Sequence, residues 1–314
     1  MSFEPQRLSA QSAGVFVISV TPFTPEGELD LPSTDALVDF YLERGATGLT
    51  LLGMMGEAVK LTAAESQRFV DHVVRRVAGR APVVVGVSSA GFAAMRELTA
   101  ASMDLGAAGV MIAPPSSLRS DDQILNYYAG VADAVGSDTP FVLQDFPLST
   151  GVVISSAVIL KIVERHANCV MLKHEDWPGL SKVSALRAAQ AAGTSRRIGI
   201  LVGNGGMFLP EELERGADGA MTGFGFPEMM VDVMRAHAAG DGERARDLFD
   251  AYLPLARYEQ QPGLGLAVRK HVLAQRGAIR SATLRTPGPV LSAADVDDVH
   301  RLMQRQARRL EALS

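Results

Sequence analysis

Apolar residues in this chain fall into short unbroken runs, separated by stretches where apolar and polar positions recur with a helical period. The runs are Gly14–Val20, Gly48–Leu52, Val83–Val87, Gly109–Ile112, Phe141–Gln144, Cys169–Leu172, Ile198–Val202 and Gly219–Met221. A strand with one face in water alternates; a parallel strand covered by helices on both faces reads as a continuous run. The intervening segments carry helix signals. Asp30 and Pro32 place a cap and an early proline before a helix through Phe40. Thr62 with Glu65 forms a capping box. Glu43-Arg44-Gly45-Ala46, Asp104-Leu105-Gly106-Ala107 and Glu214-Arg215-Gly216-Ala217 each stop a helix at a glycine before the next run. Eight such units predict a (β/α)8 TIM barrel over residues 1–226. An open doubly wound sheet is the competing arrangement, but the Gly-x-Gly-x-x-Gly expected after its first strand is absent.

From residue 227 the strand-like runs stop. Helices are expected over Glu228–Ala239, Gly242–Tyr258, Gly263–Arg276 and Ala293–Ala312, the last opened by a capping box from Ser292 to Asp295. No low-complexity linker separates them from the barrel, so residues 227–314 are expected to pack as part of the same unit.

Composition narrows the function classes. The chain has 314 residues, 47% hydrophobic and 21% charged, enough to enclose a large core. A net charge of -5 without a basic patch argues against a nucleic-acid partner, and Arg305, Arg308 and Arg309 read as a solvated helix face. No apolar stretch is long enough for a bilayer, and no basic-then-apolar segment opens the chain, so neither membrane nor export is expected. The single cysteine, Cys169, lies in a strand-like run. It excludes a disulfide framework, fits a cytoplasmic protein, and reads as a packed side chain. The six histidines are scattered without metal-ligand spacing, so no metal and no bound cofactor are expected.

In a barrel of this kind, chemistry belongs to the C-terminal ends of the strands. Those positions hold Gly53-Met54-Met55-Gly56-Glu57, Ser88-Ser89, Gln144-Asp145, Lys173-His174-Glu175, Gly203-Asn204-Gly205-Gly206 and Thr222-Gly223. Lys173 closes an apolar strand. An amine there is either a nucleophile toward carbonyls or a side chain whose head simply reaches solvent. Glu175 either returns to the mouth as a proton-transfer group, pairs with a nearby base, or caps the next helix; Glu57 is the second candidate acid. His174 alternates with Lys173 and is expected to point away from the axis. Asn204 is a hydroxyl ligand or a loop-forming residue. The glycine-rich Gly203–Gly206 lacks the lysine of a phosphate-binding loop.

Taken together, these positions resemble the dihydrodipicolinate synthase and N-acetylneuraminate lyase family. The resemblance runs through Thr21-Pro22-Phe23 with Gly27 and Asp30, Gly53-x-x-Gly56-Glu57 with Leu61-Thr62-x-x-Glu65, Pro140 through Pro147 with Thr150-Gly151, Lys173, and Arg285-Thr286-Pro287. It implies a homo-oligomeric barrel, dimer or tetramer, that binds pyruvate or another 2-keto acid as an imine on Lys173. It also implies that the turn Gly53–Gly56 holds the keto acid's carboxylate through backbone N–H groups.

The chain departs from the family's pattern at the proton relay. Met54 and Met55 stand where the family has two threonines, Gln144 where it has a tyrosine, Ser149 where synthases have an arginine, and Ser116 where a second tyrosine completes the relay. Gln144-Asp145-x-Pro147, Lys173-x-Glu175, Gly219 through Pro227, and Leu253-Pro254-Leu255 with Glu259 are similar to the 2-keto-3-deoxy-L-arabonate dehydratases, although Met54-Met55-Gly56-Glu57 differs there too. The expected function is a Schiff-base lyase that dehydrates a 2-keto-3-deoxy sugar acid, with Lys173, Glu175 and Gln144 catalytic. Gly53, Met54, Met55, Gly56, Glu57, Ser88, Asn204 and Thr222 are expected to bind substrate. A dihydrodipicolinate synthase, a pyruvate-releasing aldolase, and a keto-acid-binding protein without turnover remain as alternatives.

Overall fold

The computed structural model describes residues 6–177 and 179–313. Eight parallel strands close into a barrel in sequence order: β1 Gly14–Ile18, β2 Gly48–Leu51, β3 Val83–Gly86, β4 Gly109–Ile112, β5 Phe141–Asp145, β6 Cys169–His174, β7 Gly199–Val202 and β8 Gly219–Ala220. The seam closes where Gly14 pairs with Gly219 and Val15 with Ala220. The open doubly wound sheet is thereby excluded.

The helices are α1 Leu31–Glu43, α2 Ala63–Val77, α3 Phe92–Asp104, α4 Asp121–Val135, α5 Pro147–Thr150, α6 Ser156–Arg165, α7 Leu180–Ala191, α8 Leu209–Glu214, α9 Glu228–Ala238, α10 Gly242–Glu259, α11 Gly265–Gln275 and α12 Ala293–Ala312. Helix starts follow the capping chemistry. The Asp30 carboxylate accepts from Ser33 N at 2.9 Å. Thr62 with Glu65, and Ser292 with Asp295, form the expected reciprocal boxes, and Ser120 with Gln123 adds a third. The tail helix α9 packs against β1 and α8, covering the closing seam, while α10 packs on α9, α11 and α12.

Continuous apolar strands give the barrel two apolar layers. Val17, Leu49, Leu51, Val85, Val110, Leu143, Leu172 and Ile200 face the helices in one cluster. Phe16, Ile18, Val84, Met111, Val142, Met171, Leu201 and Met221 fill the barrel interior in another. This alternation decides which strand-end residues reach the mouth: Gln144 lies two residues beyond Val142, and Lys173 two beyond Met171, so both point inward.

The β5–β6 pairing contains a register shift. Phe141 pairs with Cys169, but Val142 pairs with Met171, which leaves Val170 as an extra residue. Without that bulge Gln144 would stand beside Leu172. With it, Gln144 pairs with Lys173 and Asp145 with His174. The ladder therefore continues two residues past the end expected at Leu172, since Lys173 and His174 also pair with Leu201 and Val202 of β7.

Candidate active site

The inward side chains of β5, β6 and the loop after β6 form a compact polar cluster. Lys173 Nζ lies 3.0 Å from Glu175 Oε2, with both side chains about 5% exposed. Gln144 Nε2 donates to the same Oε2 at 2.7 Å. The Glu175 backbone is held as well: its N–H donates to Asp145 O at 2.8 Å and its carbonyl accepts from Asn204 Nδ2 at 3.0 Å. Gly203 leaves the space that Glu175 occupies, because a Cβ there would overlap the Glu175 side chain. Glu175 thus turns back into the mouth and pairs with the amine. It does not cap the following helix, whose N-cap is Gly179.

The outward-facing residues form a second polar layer behind the first. Lys182 Nζ lies 2.7 Å from Asp145 Oδ2, from Asp176 Oδ2 and from Ile154 O. His174 points away from the axis, as expected, and its Nε2 meets Gly179 O at 3.1 Å. This layer fixes the loop that carries Glu175.

A cavity of about 470 Å³ opens above the cluster. Lys173, Glu175, Gln144, Asn204 and Thr222 line it, as do Met54 and Met55 from the turn after β2. Thr222 Oγ1 accepts from Gly205 N at 2.8 Å, tying the exits of β7 and β8 together. Met54–Gly56 form a single 3₁₀ turn, and the N–H groups of Met54 and Met55 precede its first internal bond. Gly53 and Gly56 shape this turn from beneath: Gly53 lies beside Ile18, and Gly56 N bonds Gly53 O at 3.0 Å. Neither lines the cavity.

Two further expected substrate ligands lie elsewhere. Glu57 is buried outside the cavity, with left-handed backbone. Its oxygens are occupied by Lys270 Nζ at 2.6 Å, Lys60 Nζ at 2.8 Å and Arg285 N at 3.1 Å. Its carboxylate clamps the β2 turn to the C-terminal segment and has no free oxygen to serve as the reaction's acid. Ser88 faces a groove beside α2 and α3, and its Oγ accepts from Ala113 N at 2.8 Å. Ser88 therefore lies outside the cavity, although the strand-end rule had placed it at the mouth. Ser149, in the position of the synthase arginine, does reach the cavity rim beside Met54.

The tail supplies cavity residues that the strand-end rule cannot reach. Glu259, Gln260 and Arg269 line the wall nearest β7 and β8. Arg269 Nε donates to Glu259 Oε1 at 2.6 Å, and Glu259 Oε2 accepts from Gly225 N at 2.9 Å. Glu259 had appeared only within a longer resemblance; an arginine midway along an amphipathic helix gives no signal of its own. None of the cavity-lining described residues is a tyrosine. Also among the described residues, no group of three or more His, Cys, Asp or Glu side chains is placed to hold a metal ion, and no helix is long and apolar enough to cross a membrane. Cys169 is buried, and burial pushes its thiol up to about 12, as suits a packed side chain.

The comparisons with known proteins agree with this fold. Residues 11–306 match the model of the dihydrodipicolinate synthetase family. The chain belongs to that family. It is 33% identical over 306 residues to L-2-keto-3-deoxyarabonate dehydratase of Azospirillum brasilense, covering 96% of this chain and 95% of that one. It is also 33% identical over 311 residues to 4-hydroxy-tetrahydrodipicolinate synthase of Sorangium cellulosum, covering 96% and 98%. The crystal structure of dihydrodipicolinate synthase from Rhodopseudomonas palustris superposes with a TM-score of 0.94 at 51% identity, covering 97% of this chain and all of that one. The family is one of lyases, and this chain is a lyase of that family.

One buried carboxyl outside the cavity carries a pH dependence. Glu212 on α8 is 8% exposed, and burial, with the nearby Glu211 charge, pushes its carboxyl up to about 8. The folded protein therefore holds a proton that the unfolded chain releases above about pH 4.5. Stability attributable to this group is fully present below that point and falls as pH rises toward 8. Glu212→Gln is expected to remove this slope, gaining on the order of a few kcal/mol over the parent at pH 8 and little at pH 4.5. Urea midpoints at the two pH values check it; parallel pH slopes for parent and variant would refute it.

Proposed function

We propose that the protein is a Schiff-base lyase that dehydrates a 2-keto-3-deoxy sugar acid. The observation that carries this reading is the contact of Lys173 with Glu175, itself held by Gln144 where the family's relay has a tyrosine. The likeness to L-2-keto-3-deoxyarabonate dehydratase supports it.

The chemistry follows from the three side chains. The Lys173 amine adds to the C2 carbonyl and water leaves, giving an imine that draws electrons from C3. Glu175, 3.0 Å from the amine, removes a C3 proton, forming the enamine. The enamine electrons then expel the C4 hydroxyl. Glu175 returns its proton to the departing oxygen, so water leaves and a C3–C4 double bond forms. In a five-carbon acid, loss of a C5 proton and protonation at C3 give the C4–C5 enol; protonation at C4 with loss of the C5 hydroxyl proton yields the semialdehyde, and hydrolysis of the imine, which takes back the first water, frees Lys173. The balance is one water lost per substrate. Gln144 cannot titrate; it orients Glu175 and leaves proton transfer to that single carboxylate.

A synthase would need a carboxylate contact for its second substrate and a hydroxyl chain for its protons. Ser149, Met54, Met55 and Gln144 provide neither a cation nor a titrating hydroxyl. Losing one charge-assisted contact costs roughly a hundredfold, and losing the relay a further ~10²–10⁴-fold. The test assays both reactions side by side, with and without exhaustive chelation. The expected result is dehydration of a 2-keto-3-deoxy acid, to a semialdehyde from five carbons or a diketone from six, unaffected by the chelator, with negligible condensation of pyruvate and aspartate semialdehyde. Efficient condensation without any dehydration would reverse the assignment to synthase; release of pyruvate from the sugar acid would make it an aldolase. A metal-reversible loss on chelation would overturn the cofactor-free mechanism.

A further inference from the structure

Two buried nitrogens on the tail side of the cavity have no hydrogen-bond partner. Arg269 on α11 is 2% exposed; its Nε is taken by Glu259, but its Nη1 bonds nothing. Gln260, which follows α10, has a buried Nε2 that also bonds nothing. Buried donors are ordinarily satisfied, and two unmatched ones on residues that line one cavity call for an acceptor once a side-chain rotation turns them toward it.

Each of these nitrogens lies against a glycine at a strand exit. A Cβ on Gly205, after β7, would overlap Gln260 Nε2, and a Cβ on Gly223, after β8, would overlap Arg269 Nη1. Any side chain at either place would displace the donor. The two glycines thus let α10 and α11 bring donors close to the barrel mouth, beside Thr222 and across β7 from Lys173.

Charge narrows what such donors take. The ionisable side chains lining the cavity among the described residues are Lys173, Glu175, Glu259 and Arg269. Each cation already faces a carboxylate. Arg269 therefore offers a hydrogen bond with little net positive field, which suits a hydroxyl better than a second carboxylate. We propose that Arg269 Nη1 and Gln260 Nε2 form the subsite for the hydroxylated end of the substrate, selecting a neutral polyhydroxy tail over a dicarboxylic one. This rests on the reading of Lys173 as the imine-forming amine, since that anchor places the tail.

The test uses the full chain with four 2-keto acids: pyruvate, which has no tail; a 2-keto-3-deoxypentonate; 2-oxopentanoate, with a tail lacking hydroxyls; and 2-oxoglutarate, with a carboxylate end. Arg269→Lys retains a cation for Glu259 and loses the second nitrogen. It is expected to raise KM for the pentonate roughly ten- to hundredfold with kcat little changed, and to leave borohydride trapping of pyruvate on Lys173 intact. Gln260→Met, which breaks no ion pair, is expected to narrow the preference of the pentonate over 2-oxopentanoate; it decides the matter should Arg269→Lys not fold, as thermal melting will show. Unchanged pentonate binding in the folded variants, or 2-oxoglutarate binding the parent as tightly as the pentonate, overturns the subsite while leaving the imine chemistry standing. Absence of pyruvate trapping in the parent overturns the proposed function itself.

Discussion

Lys173→Ala is expected to lower turnover on the order of 10⁴-fold or more and to abolish borohydride-dependent labelling by 2-keto acids. Lys173 is the only lysine lining the cavity among the described residues, and it sits 4% exposed at the end of an otherwise apolar interior. Lys182 and Lys270 are also buried, but each is committed elsewhere. Lys182 is held by Asp145 and Asp176 behind the barrel wall. Lys270 faces Glu57, and burial lowers its ammonium to about 8 despite that carboxylate. Lys270 is nevertheless shut away from the cavity by Glu57 and Thr283 O, whereas access to a keto acid singles out Lys173. Peptide mapping after reduction separates the two: mass on the Lys173 peptide is expected, and mass on Lys270 with turnover preserved in Lys173→Ala would refute the assignment.

Glu175→Gln is expected to lower kcat by ~10²–10⁴ while leaving the imine trappable. The substitution keeps the shape and the contact with Gln144 but removes the carboxylate that pairs with the Lys173 nitrogen. If Glu175 merely stabilised the lysine charge, imine formation and turnover would change together. If it moves the protons of the elimination, trapping survives and product formation does not. Single-turnover measurements with a 2-keto-3-deoxy acid make the distinction, and full turnover in the variant would strip Glu175 of its role.

The barrel was legible in the sequence because its evidence is redundant. Eight unbroken apolar runs, glycine stops and capping boxes all pointed one way, and errors were confined to a residue or two at strand ends. Lys173, Glu175, Gln144, Asn204 and Thr222 were legible for the same reason: each lies at a strand exit and the side-chain alternation sets its direction. Glu57 and Ser88 show where that rule stops. Both follow strand ends, yet Glu57 is claimed by two lysines from outside the mouth, and Ser88 by the backbone of the next strand exit. Such claims come from long-range partners that a local pattern does not contain. Gln260 and Arg269 were missed from the opposite side, since only folding brings α10 and α11 over the exits of β7 and β8. The Val170 bulge was equally invisible, although it decides whether Gln144 meets an amine or a leucine.

The clamp around the β2 turn ties the β2 side of the mouth to the far end of the chain. Arg285 donates to Gly27 O at 2.8 Å and to the Glu65 carboxylate at 2.7 Å, while Lys270 reaches Glu57 and Thr283 O. The turn that carries Met54 and Met55 is therefore braced by residues more than two hundred positions away. Local opening of such a structure is cooperative, so fraying of the C-terminal segment and loosening of the turn belong to one event. A protease that nicks the segment near Pro287 would silence the enzyme long before the barrel itself melts, and a bound keto acid would slow that cut from a distance.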